Sequence, residues 1–198
     1  MEEYASHLAK LFEKLPGIGS RQAKRFAYFI LTQPNDYVNN FADTLKNARN
    51  HARTCKTCLR TFEGLNPLCN ICNDKSRNPD TIIVVEKSQD IDAFKNTDFN
   101  GIFFVLGGLI PIVQKNILAS TNIQILIDKT KNQKSLKEII LAFPITPNGE
   151  YTDQVIREVL LSPIPTFEIS SLGRGLSTGT ELEYADTASL LASLKKRE

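Results

Sequence analysis

Apolar residues at Leu8, Leu11, Phe12 and Leu15 recur at i, i+3, i+4 and i+7 and predict an amphipathic helix. The pattern stops at Pro16-Gly17-Ile18-Gly19. It resumes after Ser20, a good N-cap residue, with Ala23, Phe26, Ala27 and Ile30 on one face. A third helix, capped by Asn35 or Asp36, would bury Val38, Phe41, Ala42 and Leu45. After Asn78-Pro79-Asp80 the period changes. Thr81–Val85, Ile102–Leu106 and Glu138–Ala142 are short apolar, β-branched runs, as expected of strands buried on both faces, and Phe167–Ser170 makes a fourth. Helical patterns at Asp90–Thr97 and Asp153–Leu161 lie between them, which predicts a mainly parallel sheet with flanking helices. The run from Asn122 to Ile127 has strand-like composition yet also fits a helical face. Ala188, Leu190, Leu191, Ala192 and Leu194 predict a last apolar helix, either core or a subunit contact.

The fold class expected is therefore α/β in several modules: a helical region 1–53, a small module 54–77, an α/β domain 80–175 and a C-terminal helical segment 176–198.

All four cysteines fall in the small module, as Cys55-Lys56-Thr57-Cys58, ten further residues, then Cys69-Asn70-Ile71-Cys72. Two such Cys-x-x-Cys turns supply the four soft thiolates that tetrahedral zinc prefers, so Cys55, Cys58, Cys69 and Cys72 are expected to hold one structural Zn²⁺ per chain as a C4 finger. Two disulfides or four free thiols are the alternatives. A closed tetrathiolate leaves no open position for substrate, and the finger would act as a joint between the helical region and the α/β domain.

A helix, Pro-Gly-Ile-Gly and a second helix make a helix-hairpin-helix. Gly17 and Gly19 carry no Cβ, so the backbone around Ile18 can approach a phosphate closely, and the second helix's N–H groups point at the anion. Arg21, Lys24 and Arg25 add positive charge beside it. Such a site grips DNA backbone without reading bases. An ordinary helical corner is the competing reading.

Charge sharpens this picture only locally. The 198-residue chain is 41% hydrophobic and 23% charged, with a net charge of +2 that alone implies no nucleic acid. From Lys46 to Arg60, however, Lys46, Arg49, Arg53, Lys56 and Arg60 stand without an acidic residue. Lys46, Arg49 and Arg53 share a helical face and would extend the phosphate contacts, unless they form a plain solvated face. His7 and His51 have no ligand partners in sequence and are expected on the surface. The opening Met1-Glu2-Glu3-Tyr4 lacks the basic-then-apolar pattern of a signal peptide, and no apolar run is long enough to span a bilayer. Cysteines used as metal ligands suit a reducing cytoplasm, so a cytoplasmic, nucleoid-associated protein with no membrane partner is expected.

The order of these features resembles the bacterial recombination mediator RecR family. The Leu-Pro-Gly-Ile-Gly hairpin, the C4 box and Val84-Val85-Glu86 are joined by Val105-Leu106-Gly107-Gly108, Thr146-x-x-Gly149-Glu150-x-Thr152 and Leu182-Glu183-Tyr184-Ala185-Asp186. The resemblance covers essentially the whole chain. It implies that residues 80–175 form a Toprim domain, that the Asn122 segment is helical, and that 176–198 helps assemble ring-shaped homotetramers. It also implies DNA, RecO and RecF as partners in the repair of gapped or damaged DNA. Asn148, Ser171, Ser177 and Thr180 depart from the family pattern, which usually has Glu, Arg, Pro and Gly there, and Leu109–Val113 is atypical.

Two functions from different classes follow. Catalytic Toprim domains hold Mg²⁺ with a glutamate after the first strand and a later acidic pair. Here Glu86 fits the first place, and Asn148-x-Glu150 stands at the second, one carboxylate short. Glu86 and Glu150 would then be a vestigial acidic site, Glu86 serving to cap a helix or hold a loop. That favours a non-enzymatic, ring-forming DNA-binding mediator; the alternative is a Mg²⁺-dependent Toprim enzyme that cuts or joins DNA. The Gly173–Thr180 stretch lacks Gly-Lys-Ser/Thr and reads as a connector rather than a nucleotide loop.

Overall fold

The computed structural model describes residues 2–113, 121–161, 166–173, 175–176, 179, 181–185 and 187–195. Arg174, Ser177, Thr178 and Thr180 of the expected connector lie outside the described residues. The chain divides into two compact units, 1–52 and 53–198.

The first unit is helical. α1 (Glu2–Phe12), α2 (Ser20–Leu31) and α3 (Asn35–His51) follow one another. α1 and α2 pack through alanines: Ala9, Ala23 and Ala27 are buried, with Leu8, Phe12 and Ile18 against them. The buried stripe of α1 is thus Ala5, Leu8, Ala9 and Phe12, while Leu11 and Leu15 are exposed. The stripe is rotated from the expected face because small side chains, not large ones, mark where the two backbones come close. Phe12 and Phe26 meet edge to face at 5.8 Å.

α3 departs further from expectation. It has no buried residue: Val38 and Ala42 are half-buried, and Phe41 and Leu45 are 39% and 57% exposed. Its apolar residues form a ladder instead, Tyr37 stacked on Phe41 and meeting Phe29 of α2 at 6.2 Å.

In the second unit, β1 (Ala52–Thr54) and β2 (Thr61–Glu63) pair around the first cysteine turn, and α4 (Asn70–Asn73) carries the second. A four-stranded parallel sheet follows, β3 (Asn78–Val85), β4 (Gly101–Val105), β5 (Glu138–Ala142) and β6 (Glu168–Ser171), in the order β4-β3-β5-β6. Alternate residues serve opposite faces. Ile82, Val84, Phe104, Leu106, Ile139 and Leu141 pack against α5 (Ile123–Asn132) and α6 (Pro147–Leu160). Ile83, Val85, Phe103 and Val105 pack against Ile91, Phe94, Phe99 and, from the cysteine module, Ile71. The sheet is covered on both faces, which is why its strands read as unbroken apolar runs.

Two local expectations change and one open reading is resolved. Asp90–Thr97 is not an α-helix; a short 3-10 helix spans Ser88–Phe94, closed by the Asp90 carboxylate accepting from the Lys87 N–H at 2.8 Å. The Asn122 segment is helical, as the resemblance implied. α6 begins at Pro147, not Asp153, so Asn148-Gly149-Glu150 lies in the helix's first turn. Thr146 caps that turn by accepting from the Gly149 N–H at 3.1 Å, and Pro147 supplies the fixed φ favoured at a first helical position. The C-terminal α7 (Thr187–Lys195) forms as expected, with Leu191 and Leu194 exposed.

Candidate functional site

At the hairpin, Gly17 has φ +77°, the left-handed conformation that glycine adopts without strain. Gly19 is the N-cap of α2, taking the place expected of Ser20, which is the first helical residue. No side chain caps this end. The first intrahelical bond runs from the Ala23 N–H to the Gly19 carbonyl at 2.9 Å, which leaves the N–H groups of the opening turn directed outward. Nothing lies within 4 Å of where a Cβ on Gly17 or Gly19 would stand, so the approach to this turn is open. Arg21, Lys24 and Arg25 are exposed around it, and none is paired with a carboxylate among the described residues. Ile18 differs from its neighbours: its side chain packs into the alanine cluster, so only its backbone faces outward.

The longer basic strip is divided among elements. Lys46 and Arg49 lie exposed on α3, Lys46 within 3.7 Å of Asp43. Arg53 is in β1 and exposed. Arg60 is largely buried and pairs with Asp92 at 3.7 Å, so it ties the cysteine module to the α/β domain. His7 and His51 are exposed, the latter bonded through Nδ1 to the Asn47 carbonyl.

The four cysteines converge. Their sulfurs lie within 4.8 Å of one another, and Cys55, Cys58 and Cys69 are fully buried. Cys58 and Cys69 Sγ stand 3.6 Å apart. A tetrahedral tetrathiolate with metal–sulfur bonds near 2.3 Å has sulfur–sulfur edges of about 3.8 Å, whereas a disulfide requires about 2.05 Å. The spacing fits a metal cage and not bonded pairs, and all four are free thiols. Backbone bonds preset the cage: the Cys69 N–H points at Cys55 Sγ at 3.4 Å, and the Lys56 N–H reaches the Pro67 carbonyl at 3.1 Å. Hydrogen bonds from Cys58 and Cys72 draw Cys69 far below the ordinary thiol range, while the bond to Cys69 pushes Cys58 up to about 12 and the bonds to Cys58 and Cys69 push Cys72 up. A divalent cation resolves that crowding by taking all four as thiolates.

Sequence reasoning misses Lys129. It sits on α5 beside the cage, where burial holds its ammonium below the ordinary lysine range and the charges of Cys72, Cys58 and Cys55 oppose that fall. A divalent metal with four thiolates would carry net negative charge, which this ammonium would offset. Lys129 lies 57 positions after Cys72, and no local signal joins them.

The strand order reverses direction at β3, with β4 on one side and β5 on the other, so the sheet's crevice opens at β3's carboxyl end. Glu86 stands there, its side chain 15% exposed and its carboxylate 2.9 Å from Lys87 Nζ. That ion pair raises Lys87 above the ordinary lysine range. Across the crevice, Asn148 Oδ1 accepts from the Ile112 N–H at 3.4 Å. Glu150 is exposed on α6. Among the described residues the four cysteines are the one group of three or more Cys, His, Asp or Glu side chains whose ligand atoms come together.

A helical hairpin with an open, uncapped helix start, a four-cysteine cluster spaced to hold a metal ion and a parallel α/β sheet define a multi-module protein. Residues 5–49 match the family model "RecR, helix-hairpin-helix", and residues 80–166 match that of the Toprim domain. Recombination protein RecR of Streptococcus mutans is 35% identical over 198 residues, covering 98% of each chain. The Limosilactobacillus reuteri protein of that name is 35% identical over all of this chain and 98% of its own, and that of Lactiplantibacillus plantarum is 33% identical over 99% and 98%. The chain belongs to the RecR family.

Proposed function

We propose that this chain is a non-catalytic DNA-binding mediator of recombinational repair, acting with RecO and RecF on gapped or damaged DNA in the cytoplasm. The observation that carries the reading is the hairpin: a turn opened by Gly17 and Gly19, an uncapped helix N-terminus, and three cations, Arg21, Lys24 and Arg25, that pair with no carboxylate among the described residues. Backbone N–H groups and cations of this kind hold phosphate and carry no base information, so binding is independent of sequence. Lys46, Arg49 and Arg53 are further cations for phosphate contact.

The ion at Cys55, Cys58, Cys69 and Cys72 is zinc, one per chain and structural, since four thiolates complete its coordination. Ring assembly is supported by α3. Tyr37, Phe41 and Leu45 expose an apolar ladder, and with Tyr28 and Phe29 it makes a patch that a second copy would bury.

The contacts at the crevice support the non-catalytic reading. Glu86 is engaged by Lys87 and Asn148 by the Ile112 N–H, local structural roles that suit a site one carboxylate short of a Toprim metal set. Incubation of the pure protein with Mg²⁺ and nicked, gapped or supercoiled DNA is expected to leave every substrate unchanged. Strand cleavage or joining that disappears in Glu86→Ala would overturn it.

A further inference from the structure

Leu59, immediately after the second cysteine of the first turn, has φ +61°. It is the one non-glycine residue among those described with a positive φ. A Cβ in this conformation crowds the following carbonyl, a cost that glycine would avoid. The leucine side chain offsets that cost by packing into the apolar clusters on both faces of the sheet. Its N–H is held by the Cys55 carbonyl at 3.0 Å, inside the cysteine turn.

One residue earlier, the Cys58 carbonyl accepts a 2.8 Å hydrogen bond from the Val105 N–H. Val105 is the last residue of β4, an edge strand, and Val105 N–H points away from β3 because the next residue, Leu106, is the one that donates to the Val85 carbonyl. The cysteine turn therefore closes an edge that no strand covers among the described residues. The same strand end is held by two further bonds: the Val105 carbonyl accepts from the Asn122 side chain at 3.1 Å, and the Gly107 N–H donates to the Glu86 carbonyl at 3.0 Å.

We infer that metal occupancy of the four cysteines controls the conformation of the sheet's crevice, through the Cys58 carbonyl and the Leu59 side chain. With the ion bound, the first cysteine turn is rigid, Leu59 is held in its left-handed conformation, and Val105–Gly108 is fixed beside Glu86. With the ion gone, Leu59 relaxes toward an ordinary φ, withdraws from the two clusters, and releases the Val105 N–H. The finger is in this sense a clamp on the crevice. The inference rests on the metal reading of the cysteine cluster.

Amide hydrogen exchange on the full-length protein tests it, with metal content measured in the same samples by elemental analysis. Stripping zinc with EDTA under a thiol-free reductant is expected to raise exchange at Val105–Gly107 tenfold or more, while Ile139–Leu141 of β5 stay protected. Leu59→Gly removes the side chain yet suits the left-handed turn. It is expected to keep one zinc per chain and to show the same loss of protection at Val105–Gly107. This variant tests the Leu59 relay even where chelation unfolds the whole chain. Zinc-loaded Leu59→Gly with wild-type exchange at Val105 would overturn the coupling. Wild-type protein purified without metal would instead overturn the metal reading beneath it.

Discussion

The buried hydroxyl of Thr152 accepts a 2.8 Å hydrogen bond from the N–H of Ile110, forty-two residues away. The same hydroxyl donates to the Asn148 carbonyl at 2.6 Å, so one side chain fastens the loop after β4 to the first turns of α6. Thr152 and Ile110 are both fully buried. Thr152→Val keeps the shape and leaves the Ile110 N–H without a partner, a loss of about 1–3 kcal/mol. Chemical denaturation should show a lower midpoint at unchanged slope; an unaltered midpoint would mean that the bond is not made.

Gly149 fills the opposite role, by absence of a side chain. A Cβ there would stand 2.0 Å from the Pro144 carbonyl oxygen, a backbone atom that cannot step aside. Gly149→Ala should therefore shift α6's first turn or the Pro144 backbone and destabilise the second unit by a few kcal/mol, in the range of other overpacked sites. Thermal unfolding measures it, and a midpoint within a degree of wild type would contradict the placement.

These two residues mark what is legible in the sequence. The strands are, because a sheet covered on both faces needs continuous apolar runs, and Glu138–Ala142 falls where the pattern puts it, to the residue. The start of α6 escapes the apolar pattern, although Thr146-Pro147 signals a cap and first helical position. α1's buried face escapes it too, because Ala5 and Ala9 carry little hydrophobic signal yet set the helix separation. α3's apolar face is legible; its exposure is not, since a patch meant for another surface has the same pattern as a core face. At the site, the cysteine spacing and the Gly17–Gly19 turn can be read locally. Lys129, Leu59 and Val105 cannot, since their roles arise between distant segments.

Metal removal should be costly. Cys58→Ser replaces a soft ligand with a hydroxyl and should lower zinc content from one per chain toward zero. The finger's folding free energy is carried by the ion, so stability should fall with it. Elemental analysis and thermal unfolding together check this; full zinc content with unchanged unfolding would refute the four-cysteine cage.

Assembly should depend on the exposed ladder of α3. Phe41→Asp places a charge where Tyr37 and Phe41 stack and where a second copy is expected to pack. Light scattering should show wild type larger than one 22.2 kDa chain and the variant smaller than wild type. Identical masses would remove α3 from the interface.

The salt dependence of DNA binding tests phosphate gripping at the hairpin most directly. Affinity of the wild type and of an Arg21→Ala, Lys24→Ala, Arg25→Ala variant should be measured on gapped duplexes of unrelated sequence, across a range of salt. Every phosphate that the protein no longer neutralises flattens the slope of log affinity against log salt by about 0.9 on B-DNA, so the triple variant should bind all sequences more weakly and alike, with a slope reduced by roughly 2–3. Unchanged affinity and slope, or a weakening confined to one sequence, would contradict the hairpin as the phosphate-gripping site.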